Sequence, residues 1–192
     1  MASATGQRPR GAGRLQLHGV ALRLFAQNGV EGTSLQAIAD EMGVSKAAVY
    51  YHYKTKDELV LGVLAPVVEA LEAMVARIRT RRGRQARLDE LLTGVVNLAV
   101  DYHEQFAVML GDPAVGALLT THALTQGWDE LAHLVVDPSD PSTRIALSLF
   151  GAGIVGPLRD PELSKLGPEV LREQLTTLGR RLLQIRRRPT PA

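Results

Sequence analysis

Cysteine is absent from this 192-residue chain, which removes disulfides, thiolate nucleophiles and cysteine-ligated metal sites and suits a reducing compartment. Aromatic residues make up only 4% of it. No HExxH or glycine-rich phosphate loop occurs, and no Ser, His and Asp set has a convincing catalytic role. Asp101-Tyr-His-Glu104 holds titratable groups, but positions 101, 103 and 104 do not share one helical face. An enzyme is therefore not expected, and no metal or cofactor is called for. Period-two β-branched alternation is nearly missing, and there is no internal repeat. No uninterrupted apolar run nears the roughly 18 residues of a membrane span, and the opening MASATGQRPRGAGR is not a charged-then-apolar leader. A soluble, cytoplasmic protein that enters no membrane is the expectation.

What is present is hydrophobic content of 45%, enough for a core, and a net charge of +2 that is unevenly distributed. Residues 1–56 carry seven Lys or Arg against three acids, and residues 57–192 carry fifteen against seventeen. A basic module joined to a slightly acidic body points towards a nucleic-acid partner. Three of the four tyrosines stand with a histidine in that module, at Tyr50-Tyr51-His52-Tyr53.

Apolar residues recur at helical spacing, so the class is all-α with about nine helices. Residues 1–12 read as a flexible basic arm. A helix over 14–28 buries Leu17, Ala21, Leu24 and Phe25 and ends at Gly29, although Gly19 weakens it. Thr33-Ser-Leu-Gln36 has the form of a capping box opening a second helix with Leu35, Ile38 and Ala39 inward. After a Gly43-Val44 turn, Ser45 caps a third helix ending near Tyr53, and Thr55-Lys-Asp-Glu58 opens a fourth that runs to about 80 with Pro66 inside it. Arg77–Arg87 reads as a solvated connection. Further helices are expected over 85–110, 113–121, 125–136, 142–158 and 168–187, with residues 189–192 a tail.

The second and third helices have helix-turn-helix spacing. Ala39 permits close approach, Gly43 a tight turn, and Val44 and Val49 fill the space beneath. An α-helix fits the major groove of B-DNA, where base edges differ. Ser45, Lys46, Ala47 and Ala48 occupy its leading end, small enough for close approach, with Lys46 able to reach a guanine edge or a phosphate.

Gly32-Thr-Ser-Leu-Gln-Ala-Ile-Ala39, Gly43-Val-Ser45 and Val49-Tyr-Tyr-His-Tyr-Lys-Thr-Lys56 together resemble the DNA-binding signature of TetR/AcrR-type transcriptional regulators. The resemblance covers about residues 14–60; Tyr53 stands where that family often has Phe. It implies an N-terminal three-helix DNA-binding domain over 13–56, followed by a helical effector-binding and dimerisation domain over 57–188. It also implies DNA contacts from Tyr50, Tyr51, His52 and Lys56, with Thr33, Ser34 and Gln36 beside a phosphate at a helix N-terminus. Tyr53 is expected inward. Arg8, Arg10 and Arg14 either follow the DNA or remain solvated.

Leu171, Leu175, Leu178, Leu182 and Ile185 repeat at intervals of 4, 3, 4 and 3, a seam for helix packing, and Ile145, Leu149, Ala152, Gly153 and Gly156 permit close contact in the preceding helix. They close the monomer or, as the resemblance implies, form a homodimer that reads a palindromic operator. The resemblance further implies a pocket for a small apolar effector lined by Val96, Tyr102, Phe106, Leu119, His122, Trp128 and Phe150. The expected function is a transcriptional repressor released by that effector. The alternative is a DNA-binding regulator that responds to a protein partner or acts as an activator.

Overall fold

The computed structural model describes residues 10–121, 134–136 and 141–185. Among these every regular element is a helix: α1 Arg10–Asn28, α2 Leu35–Met42, α3 Lys46–His52, α4 Lys56–Thr80, α5 Arg84–Asp101, α6 His103–Gly111, α7 Pro113–Thr121, α8 Pro141–Gly153, α9 Val155–Arg159, α10 Pro161–Ser164 and α11 Pro168–Leu182. Two compact units divide the chain, Met1–Ala65 and Pro66–Ala192. The division falls inside α4, nine residues beyond the expected one, because the opening turns of α4 belong with α1–α3.

In the first unit, Leu17, Ala21, Phe25, Leu35, Ile38, Ala39, Val49, Leu59 and Val63 form the core. α1 begins at Arg10, inside the stretch expected as a loose arm. α2 ends in a Schellman motif: Gly43 is left-handed (φ 64), its N–H donates to Asp40 O, and Val44 N–H donates to Ala39 O. That closure turns Val44 outward, 38% exposed, so Val49 alone fills the space beneath the turn. The cap of α2 also lies one residue later than a capping box requires. Ser34 Oγ accepts from Ala37 N–H, while Gln36 Nε2 donates to Asp40 Oδ1 instead of reaching back.

The second unit is built around α5, whose residues Leu88, Leu91, Leu92, Val95, Val96, Leu98 and Ala99 are buried. α11 lies along it, joined by Arg172 to Asn97 (2.9 Å) and Asp101 (3.0 Å) and by Arg180 to Asp89 (3.0 Å). Gly179 is the point of closest approach, where a side chain would strike Leu92 and the Phe150 ring. The arginine-rich 77–87 stretch is a brace. Arg77 and Arg81 hold Glu90, Arg84 reaches Val135 O and Thr143 Oγ1, and Arg87 reaches Arg81 O and Leu134 O. Burial works against the charged form of Glu90, but the two guanidinium hydrogen bonds outweigh it and hold the carboxyl below its ordinary range.

Three helices expected to be continuous are shorter. Tyr102 leaves helical geometry (φ −123, ψ 39) and separates α5 from α6. The new axis buries Phe106, Ala107, Val108 and Met109 in succession, which one helical stripe cannot do. Pro157, lacking an N–H, cannot donate to Gly153, and α8 ends there. α11 stops at Leu182 in a second Schellman closure, with Gln184 left-handed at φ 52 and Ile185 N–H on Arg180 O. No glycine marks that stop, so its sequence signal is absent. α4 is long and apolar enough to cross a membrane by length and composition alone, but Leu59, Leu64, Val67, Leu71, Met74 and Ile78 are buried within the protein.

Candidate nucleic-acid interface

Seven residues form α3, and Val49 is the only one of them buried. So short a helix is not stable by itself; it is held at its ends and through Val49. Ser45 caps its start, with Oγ accepting from Ala48 N–H at 3.3 Å. Tyr53 closes its end, N–H on Val49 O, and turns its ring inward over Gly62, where a side chain on residue 62 would collide with it. The Tyr53 hydroxyl shares a 2.6 Å hydrogen bond with His18 Nε2 on α1. Thr55 Oγ1 accepts from Glu58 N–H, and the Glu58 carboxylate receives Lys54 N–H at 2.7 Å, which stiffens the link into α4.

The remaining surface of α3 is open. Ser45, Lys46, Ala47, Ala48, Tyr50, Tyr51 and His52 are all exposed, Tyr51 most of the aromatics at 74%. Lys46 Nζ lies 5.4 Å from the centre of the Tyr50 ring, a cation–π arrangement that limits where the ammonium points. Tyr51 and His52 meet edge to face at 5.3 Å. Lys54 Nζ donates to Tyr50 O at 2.8 Å and brings a further cation to the end of α3. Ser34 and Gln36 are exposed on the first turn of α2. Hydroxyl, ammonium, imidazole and phenol groups converge here with only small alanines between them, a surface suited to a polyanion with readable edges.

Two residues expected at the DNA are directed inward instead. Thr33 is buried at 2% exposure, and its hydroxyl donates to Gly29 O and Leu24 O. Lys56 Nζ donates inward to Val30 O at 2.9 Å and Glu31 O at 3.3 Å. Both residues donate to a turn whose carbonyls need partners, a tertiary demand that motif spacing does not reveal. Two participants were not expected, Lys54 and His18. A buried tyrosine hydroxyl wants a partner, and that was the signal for the histidine on α1.

Burial, then the charges of Arg14 and His52, lower the His18 pKa; burial raises that of Tyr53, with Arg14 opposing it. Neutral His18 therefore adds stability that is complete above about pH 6.5 and lost as the pH falls through the lowered folded value. The stability gap between wild type and His18→Gln is expected to narrow between about pH 7.5 and pH 5. Thermal melts at the two pH values check this, and a constant gap would exclude it.

The other expected site residues lie in the second unit. Val96 and Phe106 are buried, Tyr102, Leu119 and Phe150 are half-buried, and His122 and Trp128 lie outside the described residues. Ile145 (58%), Leu149 (60%), Ala152, Gly153 and Gly156 are exposed, as are Leu178 (56%) and Leu182 (41%). Leu171 and Leu175 depart from the expectation of an interface: both are buried in the row that faces α5. On a helical wheel the four leucines share one face, so it is packing along the length of α11, not helical phase, that buries Leu171 and Leu175 and leaves Leu178 and Leu182 exposed.

Residues 19–63 match the bacterial regulatory proteins of the tetR family. Over 40 residues the chain is 55% identical to the HTH-type transcriptional regulator AcrR of Shigella flexneri, covering 21% of this chain and 19% of that protein. It is 28% identical over 123 residues to the HTH-type transcriptional regulator RutR of Escherichia coli strain K12, covering 63% of this chain. The matched stretch spans 58% of RutR, so the chain aligns with less than two thirds of either relative. The crystal structure of SCO3833, a TetR-family member from Streptomyces coelicolor, superimposes over 97% of this chain and 94% of that one, with a TM-score of 0.68 and 20% identity. That similarity extends the shared fold across both units.

Proposed function

We propose, from the match of residues 19–63 to the bacterial regulatory proteins of the tetR family, that the protein is a cytoplasmic DNA-binding transcriptional repressor. It acts as a homodimer on a palindromic operator and is released by a small apolar effector. The observation that carries this reading is the seven-residue α3, anchored by Val49 and its two caps, with every other side chain exposed. A helix held in this way offers one rigid outer face to the major groove.

In this reading Ser45, Lys46, Ala47, Ala48 and Tyr50 approach the bases, while Tyr51, His52, Ser34 and Gln36 meet the phosphates. Two copies of α3 related by a two-fold axis require half-sites about 34–36 Å apart. The exposed apolar row of α8, with Leu178 and Leu182 of α11, is the surface that brings the copies together. Val96, Tyr102, Phe106, Leu119 and Phe150 supply the apolar environment for the effector. Release then requires the effector to bind the DNA-incompetent dimer more tightly, with a coupling of about 1–3 kcal/mol typical of such systems.

The test uses duplexes selected from a random pool by the full-length protein. Tyr51→Ala is expected to weaken binding about tenfold, the scale of one charge-assisted hydrogen bond, with no change in melting temperature because the ring is exposed. Lys46→Ala is expected to change the selected sequence. Wild-type affinity should fall steeply with added salt. Binding that Tyr51→Ala leaves untouched at physiological salt would remove α3 from the interface.

A further inference from the structure

Three lysines and a threonine hydroxyl stand at the helix-turn-helix, and their polar groups divide into two sets. Lys46 and Lys54 are exposed on α3 and just beyond it. Lys56 and Thr33 are directed into the turn that joins α1 to α2. α1 ends at Asn28 and Gly29 is left-handed, φ 73, so the carbonyls of the last helical turn and of the following loop need donors from elsewhere.

Thr33 supplies one set. Its hydroxyl lies 2.8 Å from Gly29 O and 3.2 Å from Leu24 O, and its own N–H donates to Val30 O. Lys56 supplies the other, arriving from the first residue of α4. Its ammonium has three protons. The Val30 and Glu31 carbonyls take two of them, and the Glu31 carboxylate stands 3.9 Å away. A phosphate would have to compete with all three acceptors for a side chain that is only 27% exposed.

We infer that Lys56 and Thr33 are positioning residues, which together fix the α1–α2 turn and therefore the angle at which α2 and α3 are presented, and that Lys46 and Lys54 carry the positive charge to the DNA. This assignment rests on the DNA-binding reading. It reverses the role that the helix-turn-helix pattern implies for Lys56. A cation at the start of α4 acts on the operator through the loop it holds.

Two measurements on the full-length protein decide it. The first is amide hydrogen exchange without DNA; the second is the slope of log affinity against log salt on duplexes selected from a random pool. For Lys56→Met, exchange across residues 30–35 is expected to quicken about tenfold. Affinity is expected to fall about tenfold while the salt slope stays at the wild-type value. Lys54→Met should do the opposite, flattening the slope by about 0.9 for each phosphate that the ammonium had neutralised and leaving exchange unchanged. Thr33→Val should reproduce the Lys56→Met pattern, and Thr33→Ser, which keeps the hydroxyl, should restore the wild-type values.

A flatter slope for Lys56→Met, or exchange at the wild-type rate in both Lys56→Met and Thr33→Val, would overturn the assignment. If the wild-type protein binds no duplex, the DNA-binding reading fails and the charge assignment to Lys46 and Lys54 fails with it. Exchange alone then decides whether Lys56 and Thr33 hold the turn.

Discussion

Leu149→Glu is expected to convert the protein from dimer to monomer and to lower its affinity for operator DNA at least about a hundredfold. Leu149 is 60% exposed on α8 and Ile145, one turn earlier, is 58% exposed, while Ala152 and Gly153 continue the row without bulk and Gly156 is exposed on α9. Covering a leucine of this kind contributes about 1.5–3 kcal/mol. A two-fold interface counts every substitution twice. The introduced carboxylate adds a desolvation cost of several kcal/mol where no cation awaits it. DNA affinity follows because a dimer binds its second half-site as an intramolecular event, an advantage of about 10²–10⁴.

Sedimentation equilibrium and binding to a selected operator check both halves of this result. Leu171→Ala is the internal control. Leu171 is buried against α5, so its loss should lower unfolding stability by about 2–4 kcal/mol and leave the association constant unchanged. A Leu149→Glu protein that still sediments as a dimer would move the interface away from α8.

Tyr53→Ala is the second large effect. It is expected to destabilise the N-terminal unit by about 2–4 kcal/mol, somewhat less than a fully buried aromatic, and to abolish DNA binding with it. α3 has only Val49 in the core, so its C-terminal anchor is the Tyr53 ring over Gly62 and the hydroxyl on His18. Without that anchor the helix has too few bonds to persist. Tyr53→Phe keeps the ring and loses only the hydrogen bond, an expected cost of about 1 kcal/mol. Urea unfolding monitored by far-UV circular dichroism separates the three proteins. Stability retained in Tyr53→Ala would mean that Val49 suffices to hold α3.

The contrast between Tyr53 and Tyr51 shows how much of the interface was legible beforehand. The two are neighbours but one, and about 200° apart on a helical wheel they must face opposite ways; a reader of the sequence can place one inward and one outward. The same reasoning locates Ser45 as a cap and Gly43 as a left-handed stop, since each role depends on local backbone geometry. Thr33 defeated it. A hydroxyl followed three residues later by Gln36 has the form of a capping box, yet the carbonyls of Leu24 and Gly29 were closer partners for Thr33, and Ser34 became the cap.

Lys56 belongs with Thr33, because an exposed-looking cation at a helix start has no local reason to point back across 25 residues of chain. The leucine row of α11 shows the same division at larger scale. Leu171, Leu175, Leu178 and Leu182 are equivalent by spacing, but packing against α5 takes the first two and leaves the others exposed.

By itself the sequence determined the helical class, the position of the helix-turn-helix and the outward face of α3. These follow from periodicity, from caps and from a left-handed glycine, all of which act within a few residues. The tertiary structure alone decided which polar groups remain available to a partner. Thr33, Lys56 and His18 are committed to acceptors or partners 4 to 35 positions away. A buried carbonyl or hydroxyl takes whatever donor or acceptor the fold brings within about 3 Å, and no spacing rule encodes that choice.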